Sequence, residues 1–107
     1  MLCTESIRDE KDRKHVIDEI TSPKKNIKAK ELIEINYDEM ENMGGNMIML
    51  QNSVGEHCVI MSERARRGMR RHNLEALETA YTVISADLTM IELIGGGSAR
   101  CMIAELF

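Results

Sequence analysis

Apolar residues in the first part of the chain fall into short runs separated by charged stretches. The run Met1–Thr4 predicts a strand, and the charged segment behind it, with Ser6 as a good N-cap, predicts a helix over residues 7–20. Pro23 ends this helix, because its ring cannot continue the helical hydrogen bonds. Residues 21–30 hold four lysines and predict a connector. A solvated loop is favoured there over a phosphate-binding segment.

The middle of the chain alternates between apolar and polar positions, as strands do. Three such runs predict strands, over residues 31–36, 47–50 and 57–61. Asn36 and Glu39 have the spacing of a capping box, so a short helix is expected between the first two strands. Residues 52–55 predict the turn before the third strand, and Ser62 is expected to cap a further helix.

Arginines and apolar runs dominate the last third. Five arginines stand within residues 64–71. Because no aromatic residues lie between them, a solvated helix face is favoured over an RNA-binding patch. Asn73 is expected to cap another helix, and residues 81–85 to form a strand. A second apolar run, Met90–Ile94, is expected to enter the glycine-rich turn as a strand, with Glu92 facing outward.

This order of strands and helices predicts an α/β or α+β fold. A length of 107 residues fits one small domain. We expect residues 1–107 to form a single domain built of about two units with an intervening helix. The first would span residues 1–50, and the second would span residues 51–107 and hold the glycine-rich turn.

Composition narrows the possible functions. The net charge is -4, which argues against a nucleic-acid partner, and no apolar run is long enough to span a bilayer. The three cysteines, Cys3, Cys58 and Cys101, are widely spaced, which favours reduced thiols in a cytoplasmic compartment over a disulfide framework. No paired zinc-ligand spacing is present, so we expect no metal.

The segment Gly95–Phe107 offers the clearest chemistry. Three glycines, residues 95–97, are followed by Cys101, which is expected to open a short strand over residues 102–107 with Glu105 facing outward. A thiol beside exposed backbone N–H groups is a candidate nucleophile, and the charge of Arg100 would favour its thiolate. On these residues alone, a buried and inert thiol after a tight turn is the more frequent alternative.

The segment Asp87–Phe107, DLTMIELIGGGSARCMIAELF, resembles the C-terminal signature of the amidinotransferase (pentein) superfamily, whose members modify guanidino groups. The similarity is closest to its arginine-deiminase-related branch, which includes the citrulline hydrolases. Looser similarity is carried by Gly45-Asn46-Met47, by residues 59–62 and by residues 2–11. The resemblance implies a five-bladed α/β propeller of strand-strand-helix-strand modules, of which this chain would supply about two. It also implies that Cys101 is the nucleophile.

The resemblance also suggests further site residues. Asp87 matches an Asp-Leu-Thr stretch of the family and is either a substrate-side carboxylate or a polar cap at a strand end. Gly97 and Ser98 are expected to donate hydrogen bonds toward the reacting carbon, and Arg100 either assists Cys101 or points to solvent. The family's acid/base histidine has no match here, since His15, His57 and His72 all lack its motif.

The expected function is that of a C-terminal portion of a cysteine-dependent hydrolase. Its partner would be a small guanidino or ureido compound of the arginine or citrulline type, converted through a covalent thiol adduct without a cofactor. Missing groups would come from an N-terminal portion or from self-association as a homo-oligomer. The alternative is a catalytically silent fragment or paralogue that acts as an interaction or assembly module. Ammonia release from citrulline or arginine, with Cys101→Ala as the control, separates the two.

Overall fold

The computed structural model describes residues 1–23 and 30–104. Most of the lysine-rich connector, residues 24–29, and the end of the chain, residues 105–107, lie outside the described residues. The predictions for the connector and for Glu105 therefore fall outside them as well.

The described residues form a mixed α/β structure. Its α-helices are Glu10–Thr21 (α1), Tyr37–Glu41 (α2), Glu63–Gly68 (α3), Arg71–Ala80 (α4) and Thr89–Gly95 (α5). Its strands are Ile48–Gln51 (β1), His57–Ser62 (β2) and Thr82–Ala86 (β3), and two 3-10 helices span Thr4–Ser6 and Ala99–Met102. This confirms the predicted mixture of strands and helices. None of the helices in the described part is long and apolar enough to cross a membrane.

One three-stranded sheet organises the fold, with β2 between β1 and β3. The β1–β2 hairpin is antiparallel and places Ile48 opposite Ile60, whereas β2 and β3 are parallel and place Ile60 opposite Ile84. Helices α3 and α4 supply the crossover that a parallel pair requires. The order from β1 to β3 is therefore strand, strand, helices, strand.

The buried core lies between β2 and its crossover helices. Its fully or nearly buried members are Val59, Met61, Ala65, Met69 and Leu77. Val59 and Met61 are two apart on β2 and therefore face the same side of the sheet. Burial of these apolar side chains drives the folding of this part of the chain.

The predicted caps of two helices are confirmed. Asn36 and Glu39 form the expected capping box of α2, and the Ser62 hydroxyl accepts from the Ala65 N–H at the start of α3. The prediction for α1 was wrong, because Asp9 rather than Ser6 accepts from its first N–H groups. Ser6 belongs to the preceding 3-10 turn and donates its hydroxyl to the Cys3 carbonyl.

Asn73 does not cap α4, which already begins at Arg71. Its side chain is buried and donates to the Glu34 carbonyl and to Glu39 Oε1. These tertiary bonds use the amide that a capping role would need. The strands predicted over residues 1–4 and 31–36 reduce to one parallel bridge, Leu2 with Glu34.

The segment before the glycines is a helix, not a strand. The carboxylate of Asp87 accepts from both the N–H and the hydroxyl of Thr89 and so starts α5. Gly96 ends it with a positive φ of 67°. A five-residue apolar run does not distinguish a strand from a helix by periodicity, which explains the error. As a consequence, Glu92 is buried and does not face outward.

The strand predicted over residues 102–107 is also corrected where the structure describes it. Cys101 and Met102 lie in the second 3-10 helix, in which the Cys101 N–H donates to the Ser98 carbonyl. The tight turn begins directly behind the glycines and occupies the residues that a strand would have needed. Cys101 therefore projects from a helical turn.

Candidate active site around Cys101

Cys101 carries the accessible thiol of the chain. All three cysteines are free; Cys3 is buried, Cys58 is partly buried and Cys101 is exposed. The exposure excludes the inert, packed thiol that lone cysteines most often are. A thiol on a short ordered turn can meet a small molecule from solvent.

The side-chain amide of Asn46 holds the Cys101 turn from the opposite side. Its Nδ2 donates to Cys101 Sγ at 3.1 Å, and its Oδ1 accepts from the Arg100 N–H at 3.0 Å. Asn46 lies just before β1, so the contact joins the start of the sheet to the end of the chain. One amide thus fixes both the backbone of the turn and the sulfur.

A buried pair lies beneath the same turn. Ser98 is fully buried and donates its hydroxyl to Glu92 Oε1 at 2.6 Å. The Ser98 carbonyl accepts from the Cys101 N–H at 3.0 Å. The turn is therefore tied to α5 through Ser98.

A glycine is required at position 97 because a side chain there would collide with Cys101, and not because of its backbone angles. A Cβ at this position would lie 2.9 Å from the Cβ of Cys101 and 3.1 Å from its Sγ. Real Cβ atoms essentially never show a contact as short as 2.9 Å, so a larger residue at position 97 would force Cys101 or its own backbone to shift. The glycine allows the backbone to pass directly behind the thiol.

The surroundings of Cys101 lower the pKa of its thiol below the ordinary value. The hydrogen bond from Asn46 is the largest cause, followed by a hydrogen bond from the Ser98 backbone, and the positive charge of Arg100 adds to them. Hydrogen bonds and positive charge favour the thiolate because they stabilise its negative charge. The fraction of nucleophilic thiolate at neutral pH is raised accordingly.

The predicted site residues separate into two places. Gly97, Ser98, Arg100 and Cys101 lie together on one turn. Asp87 instead lies between the end of β3 and the N-cap residue Leu88 of α5, where its hydrogen bonds with Thr89 lower the pKa of its carboxyl. It lines a different open cleft of about 510 Å³, whose other lining residues are Asn42, Glu63, Arg64, Arg67, Gly68 and Thr89.

Within residues 1–23 and 30–104, the candidate site contains neither a histidine bonded to Cys101 nor a metal-binding group. His15, His57 and His72 are exposed, and no hydrogen bond of the described residues joins any of them to Cys101. In the same part of the chain no group of His, Cys, Asp or Glu side chains has the arrangement to hold a metal ion.

Two residues of the site were missed by sequence reasoning. Asn46 belongs to the Gly45-Asn46-Met47 similarity, but nothing in its spacing indicates a contact with a residue 55 positions away. Glu92 was assigned to a strand face. Glu92 lies in α5, six residues before Ser98, and its contact with Ser98 follows only from the helical structure of this segment.

A hollow of about 330 Å³ also adjoins the turn. Arg100 and Glu31 contribute charged groups to its lining. Gly45 and Met47, the neighbours of Asn46, also line it, and most of the remaining lining residues are apolar. The volume is within the range of small-ligand pockets.

The comparison with known proteins identifies a guanidino-modifying family. The family described as N,N dimethylarginine dimethylhydrolase, eukaryotic, matches residues 1–107. The chain therefore belongs to this family, which is part of the guanidino-modifying pentein superfamily. This confirms the resemblance drawn from the C-terminal signature. No curated relative and no solved structure gives a significant match to the chain.

Proposed function

We propose that Cys101 is the nucleophile of a guanidino-group hydrolase that acts on N,N-dimethylarginine or on related compounds of the arginine and citrulline type. The observation that carries the proposal is the exposed thiol held by Asn46, with a lowered pKa, in a chain of this family. The cytoplasmic location and the absence of a cofactor remain predictions that belong to this proposal.

The reaction has two steps. The Cys101 thiolate attacks the guanidinium carbon, a C–S bond forms, and the dimethylamino nitrogen takes a proton and leaves as dimethylamine. Water then attacks the same carbon and gives up its protons to solvent, the C–S bond breaks, the Cys101 thiolate is restored and a ureido product is released. The sum is the guanidino compound plus water giving the ureido compound plus amine, with no redox change.

Arg100 is the residue that we propose to bind the substrate's carboxylate. Arg100 lines the 330 Å³ hollow beside the turn, and a guanidinium pairs with a carboxylate through two parallel hydrogen bonds. The apolar wall of the hollow suits the aliphatic part of an arginine-like molecule. Asp87 lies in the other cleft, so we propose for it a substrate-side role only in an assembly that brings the two clefts together.

We also propose that this chain is part of the family's five-bladed propeller. The sequence β1, β2, α3–α4, β3 has the strand-strand-helix-strand order of one module. It spans residues 48–86, so the module would begin slightly before the boundary expected at residue 51.

An assembly module is the second candidate, and exposed apolar side chains on α5 favour it. Met90, Leu93 and Ile94 are 66%, 77% and 78% exposed and share one helix face. If the chain is an assembly module, Cys101 and its turn have a structural role at the binding surface and no catalytic role.

Amine release decides between the candidates. We expect dimethylamine from N,N-dimethylarginine with the 107-residue chain, and a fall to background in Cys101→Ala, because the nucleophile is gone. Arginine and citrulline, assayed by ammonia release, define the substrate class. Cys58→Ala is the matched control and should retain the rate. Release that persists in Cys101→Ala contradicts the proposal; no release from folded chain favours the assembly module.

The contribution of Asn46 is tested without substrate. We expect Asn46→Ala to raise the pKa of the Cys101 thiol and to slow its alkylation by iodoacetamide at pH 7 about threefold to tenfold, since the hydrogen bond that stabilises the thiolate is lost. Gln51→Ala removes an exposed amide that bonds Gly55 and not Cys101, and should leave the rate unchanged. Equal rates in Asn46→Ala and the unmodified chain would show that the bond does not favour the thiolate.

A further inference from the structure

Glu92 and Ser98 form a buried polar pair that the proposed reaction does not use directly. Glu92 is 6% exposed and Ser98 is completely buried. Their hydroxyl–carboxylate bond is short, at 2.6 Å, as expected when the acceptor is charged. Neither side chain reaches the thiol.

The second oxygen of Glu92 has no partner. Its Oε2 is buried and accepts no hydrogen bond from the described residues. A buried carboxylate oxygen without a donor is unfavourable for stability. The hydrogen bond that Glu92 does make joins it to Ser98, whose backbone carbonyl holds Cys101.

The first two glycines between α5 and the Cys101 turn are loosely packed. An added Cβ at Gly95 or Gly96 would meet no atom within 4 Å, so this stretch crosses open space. Glycines also carry the largest backbone freedom. The Glu92–Ser98 bond bridges this loose stretch, and the Ser98 carbonyl then anchors the Cys101 N–H.

We propose that Glu92 is a positioning residue for Cys101. Its carboxylate holds the Ser98 hydroxyl, Ser98 holds the 3-10 turn, and the turn keeps the sulfur against Asn46. The inference deepens the proposed function and rests on it, because it gives Glu92 a purpose only if Cys101 is the nucleophile. It assigns Ser98 to the support of the turn and not to the donation of its hydroxyl to substrate.

The test compares conservative and disruptive variants by alkylation. Ser98→Ala removes the hydroxyl, Glu92→Met removes the acceptor at similar volume, and Glu92→Gln keeps one oxygen able to accept from Ser98. Iodoacetamide labelling from pH 5 to pH 10 is followed by mass spectrometry of the peptides that contain Cys3, Cys58 and Cys101. Cys3 is buried and therefore reports unfolding in the same sample.

We expect Ser98→Ala and Glu92→Met to move the midpoint of the Cys101 profile to higher pH and to slow its labelling at pH 7 about threefold to tenfold. Glu92→Gln should lie close to the unmodified chain, and Cys3 should stay protected. Glu10→Gln, on exposed α1, is the matched control for the charge change.

Two results would overturn the inference. One is an unchanged Cys101 profile in Ser98→Ala and Glu92→Met. The other is a Cys101 change in Glu92→Gln as large as in Glu92→Met, together with labelling of Cys3, which would mean a purely structural role. Labelling needs no turnover, so a chain that releases no amine would end the proposed function while this outcome still decides the role of Glu92.

Discussion

Glu39→Gln is expected to reduce the free energy of unfolding by about 3 kcal/mol, near the lower end of the values for breaking buried ion pairs, because the partner Arg70 is half exposed. Glu39 is 1% exposed, and both of its oxygens face donors. Oε1 accepts from the Arg70 N–H and from Asn73, and Oε2 accepts from the Asn36 N–H and from Arg70 Nε. A glutamine would turn its NH₂ group toward two of these donors.

The loss should depend on pH with a definite sign. Burial alone raises the pKa of Glu39, but hydrogen bonds from the backbone of Asn36 and Arg70 and from the side chains of Asn73 and Arg70 outweigh it, and the pKa is lowered from 4.5. A lowered folded-state pKa gives stability that is complete above the unfolded value and is lost as pH falls through the folded value. Glutamine does not titrate, so the two proteins should converge in acid.

Urea unfolding of both proteins between pH 7 and pH 3 measures this difference. Glu75→Gln is the matched control, because its i,i+4 pair with Arg71 on α4 is exposed on both sides. We expect the control to change the free energy of unfolding by less than about 0.5 kcal/mol at every pH. A Glu39→Gln deficit that is small at pH 7, or that stays constant down to pH 3, would contradict the ionic role of this buried carboxylate.

Local signals made part of the fold predictable. The capping box of α2 and the cap at Ser62 need only residues three apart in sequence, and the alternation in β2 needs only its own side chains. These interactions form within one turn or one strand. They therefore depend on neighbouring residues and not on contacts with distant parts of the chain.

The errors arose where distant contacts decide the structure. Asn73 has the residue type of a cap, but burial against Glu39 directs its amide elsewhere. The apolar run before the glycines suits a strand or a helix equally, and the bond from the Thr89 N–H to the Asp87 carboxylate favours the helix. Asn46 and Cys101 meet across 55 residues, so neither periodicity nor spacing indicates their bond.

Cys101 itself could be found because its evidence is local. The glycines and the thiol stand within seven residues, and the resemblance of residues 87–107 assigns the nucleophile to that position. The supporting groups, Asn46 and Glu92, come from other elements and required the fold. The position of the proposed nucleophile is thus indicated by the local sequence, whereas the arrangement that favours its thiolate is not.

Gly97→Ala is expected to lower kcat/KM for amine release on the order of 100-fold, the loss that a misplacement of about 1 Å brings to a reacting group. The new Cβ would lie 2.9 Å from Cys101 Cβ and 3.1 Å from its Sγ, so the side chain has to move away. The movement separates the sulfur from Asn46 Nδ2, now at 3.1 Å, and removes the largest cause of the lowered thiol pKa. Alkylation of Cys101 at pH 7 should slow as well.

Gly95→Ala is the control for this prediction. A Cβ there meets nothing within 4 Å, so the same chemical change adds a methyl group to the same turn without touching the thiol. We expect Gly95→Ala to keep both amine release and the alkylation profile. Equal losses in the two variants would mean that the backbone freedom of the glycine turn matters and the space behind Cys101 does not. Full activity in Gly97→Ala would mean that the thiol reacts from a position other than the one held by Asn46.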